Sequence, residues 1–195
     1  MDYADNKPIV LVETAYFPLW YKGDANQQVH EARVEEWEFM MGGGAGHITL
    51  DANYTRDNPT ARGTLTQQAL APQKKLLREF LQSFDFSRMT RNTSFSVAQA
   101  ESNLHICSIA EPGKQYAVYM HHSLLDGGAY IVVPGSQEEE IALYDVPEGK
   151  YIVEWIHPES GAVVRADRIH QVEAGNLKLV SPSYAIDIAL RMKRL

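Results

Sequence analysis

One cysteine, Cys107, stands among 195 residues, so the chain can form neither an internal disulfide nor a thiolate-clustered metal site. Its apolar neighbours in NLHICSIA fit a small buried hydrophobe. Basic residues are in the minority, 18 Lys and Arg against 25 Asp and Glu for a formal charge of -7. They are scattered rather than gathered in a stripe, so no nucleic-acid partner is expected. No stretch approaches the roughly 18 consecutive apolar residues of a spanning helix, and MDYADNKP at the start has no basic region of the export-leader kind. No membrane partner is expected. The glycines of Gly42-Gly43-Gly44 match neither G-x-x-x-x-G-K-[ST] nor G-x-G-x-x-G. Nucleotide binding is therefore set aside and no cofactor is expected.

What is present begins with KPIVLVETAY, residues 7–16. Ile9, Val10, Leu11 and Val12 run without polar alternation, as in a strand buried on both faces of a parallel α/β sheet. Glu13 follows directly. A carboxylate there must be paired, solvated or poised at a strand end, because burying it alone would cost several kcal/mol. Residues 17–28 read as a loop, punctuated by Pro18, Gly23, Asp24 and Asn26, that could overhang such a site. From Val29 to Met41 the residues Val29, Val34, Trp37, Met40 and Met41 share one arc at helical period. Arg33 lies within that arc. Its stem is expected on the helix edge with its head reaching water, a carboxylate partner being the alternative. The three glycines then close the helix, and AGHITLDANY completes a β-α-β unit with parallel neighbouring strands. His47, Asp51 and Tyr54 thereby come to the same end of the sheet as Glu13.

After a loop-like stretch at 56–66, Pro72 suits the first position of a helix over 72–84 that carries Leu76, Leu77, Phe80, Leu81 and Phe84. Beyond Phe86 the pattern changes to short runs rich in Val, Ile and Tyr, read as strands over 104–110, 115–121, 129–134, 138–144, 150–157, 162–172, 176–180 and 185–193. Asp126-Gly127-Gly128, Glu148-Gly149 and Ser160-Gly161 carry turn chemistry between them. Tyr151, Val153 and Trp155 alternate onto one face, the expected core face. His121 and His122 with Asp126 invite a metal reading, but adjacent strand residues face opposite ways and cannot both ligate one ion. Solvated histidines are expected instead, and His105, His157 and His170 receive no role.

Taken in order, KPIVLVETAY, VEEWEFMMGGGAGHITLD, LLREFLQSFDFSRM, PGKQYAVYMHH, PEGKYIVEWIHPESG and SPSYAIDIALRM resemble the last part of a clan-A-type glycoside hydrolase barrel followed by its β-sandwich. In particular they resemble apiosidase-like barrels with an appended domain of the collagen-binding type. The resemblance implies an α/β plus all-β chain: 1–86 as the last two strands of a (β/α)8 barrel, and 87–195 as an antiparallel β-sandwich. It implies that Glu13 ends the seventh barrel strand as the nucleophile of a retaining glycosidase. Trp20, His47 and Tyr54 become candidate sugar-contacting groups, since aromatic faces suit sugar rings, and carbohydrate becomes the expected partner.

A full barrel takes about 200 residues or more, and roughly 85 precede the sandwich-like half. Six strands are therefore expected to be missing, among them the fourth, which carries the acid/base in this clan. Retaining hydrolysis needs two carboxyls about 5–5.5 Å apart. Glu36, in the helix, and Asp51, on the neighbouring strand, are poor substitutes. The chain is expected to be a C-terminal portion, inactive alone and prone to self-association through Ile9, Leu11 and Ile48. A non-catalytic reading also stands: the sandwich as a carbohydrate- or protein-binding module, or as support for the barrel.

Overall fold

The computed structural model describes residues 8–14, 25–49, 65–98, 103–126 and 129–195. Strand β1 (Val10–Thr14) pairs in parallel with β2 (Gly46–Thr49), and helix α1 (Ala25–Met41) stands between them in sequence. Pairing slips by one residue between Leu11 and Thr14. Such a bulge bends the strand and breaks its alternation. Helix α1 ends where the glycines allow it: Gly43 takes φ 97°, its N–H bonding Met40 O at 3.1 Å and that of Gly44 bonding Phe39 O at 3.0 Å. This is the Schellman closure, which needs a residue at positive φ. Gly44 is confined as well, since a Cβ there would lie 2.2 Å from Cε1 of Phe39.

Helix α2 (Leu65–Gln82) begins earlier than Pro72 implies and runs through it. The proline forgoes its amide bond within the helix, while packing of Leu70, Leu77, Phe80 and Leu81 holds the turns on either side. A 3-10 turn at Phe86–Arg88 leads into ten strands: β3 (Thr90–Arg91), β4 (Phe95–Val97), β5 (Leu104–Glu111), β6 (Gln115–Asp126), β7 (Ala129–Val132), β8 (Glu140–Val146), β9 (Gly149–Ile156), β10 (Val163–Gln171), β11 (Gly175–Val180) and β12 (Asp187–Arg194). One antiparallel sheet runs β10-β9-β12-β6-β5-β3, with β7 on β6, and a smaller one runs β11-β8-β4. The two sheets share a core of Val118, Met120, Ile141, Leu143, Tyr151, Val153, Trp155, Leu190 and their neighbours. Tyr151, Val153 and Trp155 are fully buried in it, as their alternation predicts. On the opposite face of the larger sheet, Ile109, Ala117, Tyr119, Ile156 and Ala189 pack against Trp37 and Met41 of α1 and Leu77, Phe80, Leu81 and Phe84 of α2. The helices thus cap the sheet, and one apolar core continues across the change of pattern at Phe86.

Several expectations fail on contact. The β1 run is not buried on both faces: Val10 is 48% exposed, Val12 54% and Ile48 55%, β1 and β2 forming a two-stranded sheet among the described residues. Of the residues expected to be bare, Ile48 is exposed, but Ile9 and Leu11 are half-buried and Val10 and Val12 are bare in their place. Glu148-Gly149 does not turn a hairpin, since β8 and β9 belong to different sheets. Ser160-Gly161 does join paired strands, and Asp126 pairs with Ala129. Strands β3 and β4 are too short to leave a periodic trace. None of the described helices is long and apolar enough to cross a membrane.

Candidate functional site

Of the residues singled out in the sequence, Glu13 lies in β1 next to its C-terminal end, within the bulged stretch. Trp20, Asp51 and Tyr54 lie outside the described residues. His47 opposes Leu11 in the parallel pair, and its Nδ1 lies 3.1 Å from Glu36 Oε1. Lys74 Nζ reaches the same carboxylate oxygen at 3.1 Å. The His47 side chain is 3% exposed and packs against Phe39, ring centroids 5.9 Å apart. Glu36, His47 and Lys74 border a cavity of about 270 Å³ with Leu77, Leu81 and Phe86. The imidazole is thus committed to α1, on the side away from the exposed Val10, Val12 and Ile48.

Arg33 does not reach water. It is 1% exposed and grips Asp187 with both arms of its fork, Nε donating to Oδ2 at 2.9 Å and Nη2 to Oδ1 at 3.0 Å. Nη1 donates to Gln73 Oε1 at 2.8 Å, and the Tyr119 hydroxyl donates to Asp187 Oδ2 at 2.8 Å. Burial works against the Arg33 charge, but the Asp187 carboxylate outweighs it and holds the guanidinium more firmly protonated than usual. A bidentate guanidinium is the side chain suited to such a buried pair, and it joins α1 and α2 to β12.

The histidines of β6 are likewise buried rather than solvated, His121 and His122 both 0% exposed. They do face opposite ways, as adjacent strand residues must. His122 turns into the inter-sheet core beside Tyr184, rings 5.8 Å apart. His121 turns to α1, its Nε2 2.7 Å from Glu38 Oε2 and its Nδ1 2.9 Å from Ser123 Oγ. His105, given no role from sequence, is the cross-strand partner of His121. The two rings stack at 4.7 Å with 10° between planes. His105 Nδ1 lies 3.6 Å from the same Glu38 oxygen, and its Nε2 lies 3.2 Å from the Ser123 carbonyl. Tyr130 sets its edge against both rings and hydrogen-bonds Glu38. Burial pushes the Glu38 carboxyl up, but the bonds from His121 and Tyr130 prevail and hold it below the usual range. Burial lowers His121 in spite of Glu38. Glu38 and Tyr130 also border a cavity of about 410 Å³ with Leu11, Arg91, Cys107 and Leu125, where burial pushes the Cys107 thiol up to about 12. The signal for this cluster was the β5–β6 register: its pairs are symmetric about Gly113, so fixing that turn sets His105 opposite His121.

No family model matches the sequence, and no curated protein matches it. Solved structures do. A glycoside hydrolase superposes over 96% of this chain and 42% of its own, with TM-score 0.57 and 13% identity. A family 5 glycoside hydrolase from Bacteroides vulgatus gives TM-score 0.57 and 13% identity over 88% of this chain and 38% of its own. A family 30 endoxylanase from Clostridium papyrosolvens gives TM-score 0.52 and 12% identity over 97% and 42%. The chain therefore has a glycoside hydrolase-like fold and spans less than half the length of these proteins. At such identities the likeness concerns the fold alone.

Proposed function

We propose that these residues are the C-terminal portion of a retaining glycoside hydrolase: 1–86 the last two strands of its (β/α)8 barrel, 87–195 its β-sandwich. The single observation that carries this reading is the superposition on glycoside hydrolases over nearly the whole chain but under half of theirs. The parallel β1-α1-β2 unit agrees with consecutive barrel strands. Carbohydrate is then the substrate of the whole protein, with Glu13 as nucleophile and Trp20 and Tyr54 as walls for the sugar. His47 would act through the strand, from its pair with Glu36. The apiosidase-like kinship belongs to the same proposal.

In this reading the 195-residue chain by itself hydrolyses no glycoside. General acid/base assistance is typically worth 10²–10⁴-fold, and positioning by barrel walls contributes roughly 7–11 kcal/mol. Both would come from strands outside these residues. The sandwich serves as support rather than as a binding module: one face of its larger sheet is covered by α1 and α2. Tyr144, at 37%, is the one aromatic among the described exposed large hydrophobics.

The test is hydrolysis of a panel of aryl glycosides by the 195-residue chain, by the product of the complete reading frame that contains it, and by the Glu13→Gln variant of each. Turnover by the complete product alone, lost in its variant, is expected. Turnover by the short chain that vanishes in its variant would show that association rebuilds a site, and full activity in the variant of the complete product would remove Glu13 as nucleophile.

A further inference from the structure

We propose that Glu38, His105 and His121 form a binding site for a divalent transition ion of the zinc type, clamping α1 to the β5–β6 hairpin. The sequence-based expectation of no metal considered His121 and His122 with Asp126, and the two neighbouring histidines cannot converge. The register brings in a different pair. One nitrogen of each imidazole and one Glu38 oxygen lie within 4.8 Å of one another, and His121 Nε2 and His105 Nδ1 stand 2.7 and 3.6 Å from Glu38 Oε2. Ligand atoms bound at 2.0–2.2 Å in a tetrahedron stand about 3.3 Å apart, between those two distances.

Counting protons favours an ion over a third hydrogen bond. The Ser123 carbonyl can only accept, so His105 Nε2, 3.2 Å from it, carries that ring's proton. In the neutral ring Nδ1 then presents a lone pair to a carboxylate oxygen at 3.6 Å, acceptor against acceptor. His121 Nε2 converges on the same oxygen. A cation that displaces the His121 Nε2 proton takes that nitrogen, the His105 Nδ1 lone pair and the Glu38 oxygen together once the stacked rings turn toward it. His105 Nε2–H keeps its bond to Ser123 O, and His121, with Nε2 on the ion, carries its proton on Nδ1 and donates to Ser123 Oγ, the outer acceptors that fix metal-bound imidazoles. Two imidazoles and one carboxylate suit zinc and its transition-metal neighbours, whereas calcium takes six to eight oxygens. Three protein ligands leave a fourth position open, and Glu38 borders the 410 Å³ cavity that would admit water to it.

The test titrates chelator-stripped 195-residue protein with Zn²⁺ against a chromophoric chelator, and with Co²⁺ by visible absorption. One equivalent should bind, with an intense low-coordinate Co²⁺ spectrum. Glu38→Gln and His105→Ala should each weaken binding tenfold or more, and Ser123→Ala by about tenfold, the range for outer partners. His170→Ala, at an exposed position, should change nothing. If Glu38→Gln does not fold, as circular dichroism would show, His105→Ala decides, because His105 is partly exposed at 21%. Absence of stoichiometric Zn²⁺, an octahedral Co²⁺ spectrum, or affinity unchanged in His105→Ala would each overturn the site.

Discussion

Replacing Arg33 by Met is the sharpest probe of how the helices are held to the sheet. The substitution keeps the apolar stem but removes a guanidinium that makes two bonds to Asp187 and one to Gln73. Asp187 then remains about 1% exposed with the Tyr119 hydroxyl still donating to it. Removing one partner of a buried ion pair costs about 3–5 kcal/mol, because the desolvated charge left behind is uncompensated. A surface pair would cost about 1 kcal/mol or less. The double variant Arg33→Met/Asp187→Leu removes both charges, and buried pairs exchanged for apolar groups are often neutral or better, so it should recover most of the loss. Urea unfolding followed by tryptophan fluorescence reads this from both sides, since Trp37 lies in the helix-facing core and Trp155 between the sheets. A cost under about 1 kcal/mol for Arg33→Met would refute the argument and mean that water reaches Asp187.

Gly44→Ala drives a methyl into the Phe39 ring and should cost about 1–3 kcal/mol, the range for overpacking, read as a fall in urea midpoint; an unchanged midpoint would contradict the packing at the end of α1. Burial raises the Tyr116 and Tyr151 hydroxyls above their usual value. The folded state therefore keeps protons that the unfolded chain loses, and stability present below pH 10 should decline as pH rises past it. Tyr116→Phe should flatten that alkaline slope in urea midpoints measured across pH, and an identical slope would sink the assignment. The exposed Val10, Val12 and Ile48 should make the 195-residue chain self-associate, and Val12→Lys should reduce this in sedimentation velocity, since edge lysines block such contacts. A parent chain that is monomeric throughout would contradict it.

Much of this architecture was legible because its signals are local. Eight strands, the glycine closure of α1 and the alternation of Tyr151, Val153 and Trp155 follow from period and turn chemistry within a few residues. What escaped depends on distant partners. Arg33 looked like a snorkelling cation because Asp187, 154 positions away, carries no mark of its role. His105 seemed isolated because its meaning lies in the register with His121. Glu148-Gly149 has hairpin chemistry, but the chain uses it to change sheets, and Pro72 reads as a helix start though tertiary packing carries α2 through it. Helix α1 seemed one-sided because the sequence could not show that β1–β2, α2 and the large sheet all pack on it, which is why Glu31 and Glu36 are buried.

Glu13 is proposed to belong to a retaining site completed by chain outside these residues. Retaining hydrolysis passes through a covalent glycosyl-enzyme intermediate, which a 2-deoxy-2-fluoro glycoside with a good leaving group should trap. The decisive measurement is intact-mass analysis followed by peptide mapping of the complete reading-frame product and of the 195-residue chain after exposure to such probes. One fluorosugar is expected on the peptide containing Glu13 in the complete product and none on the short chain. Labelling of a different carboxylate in the complete product, with Glu13 untouched, would contradict it.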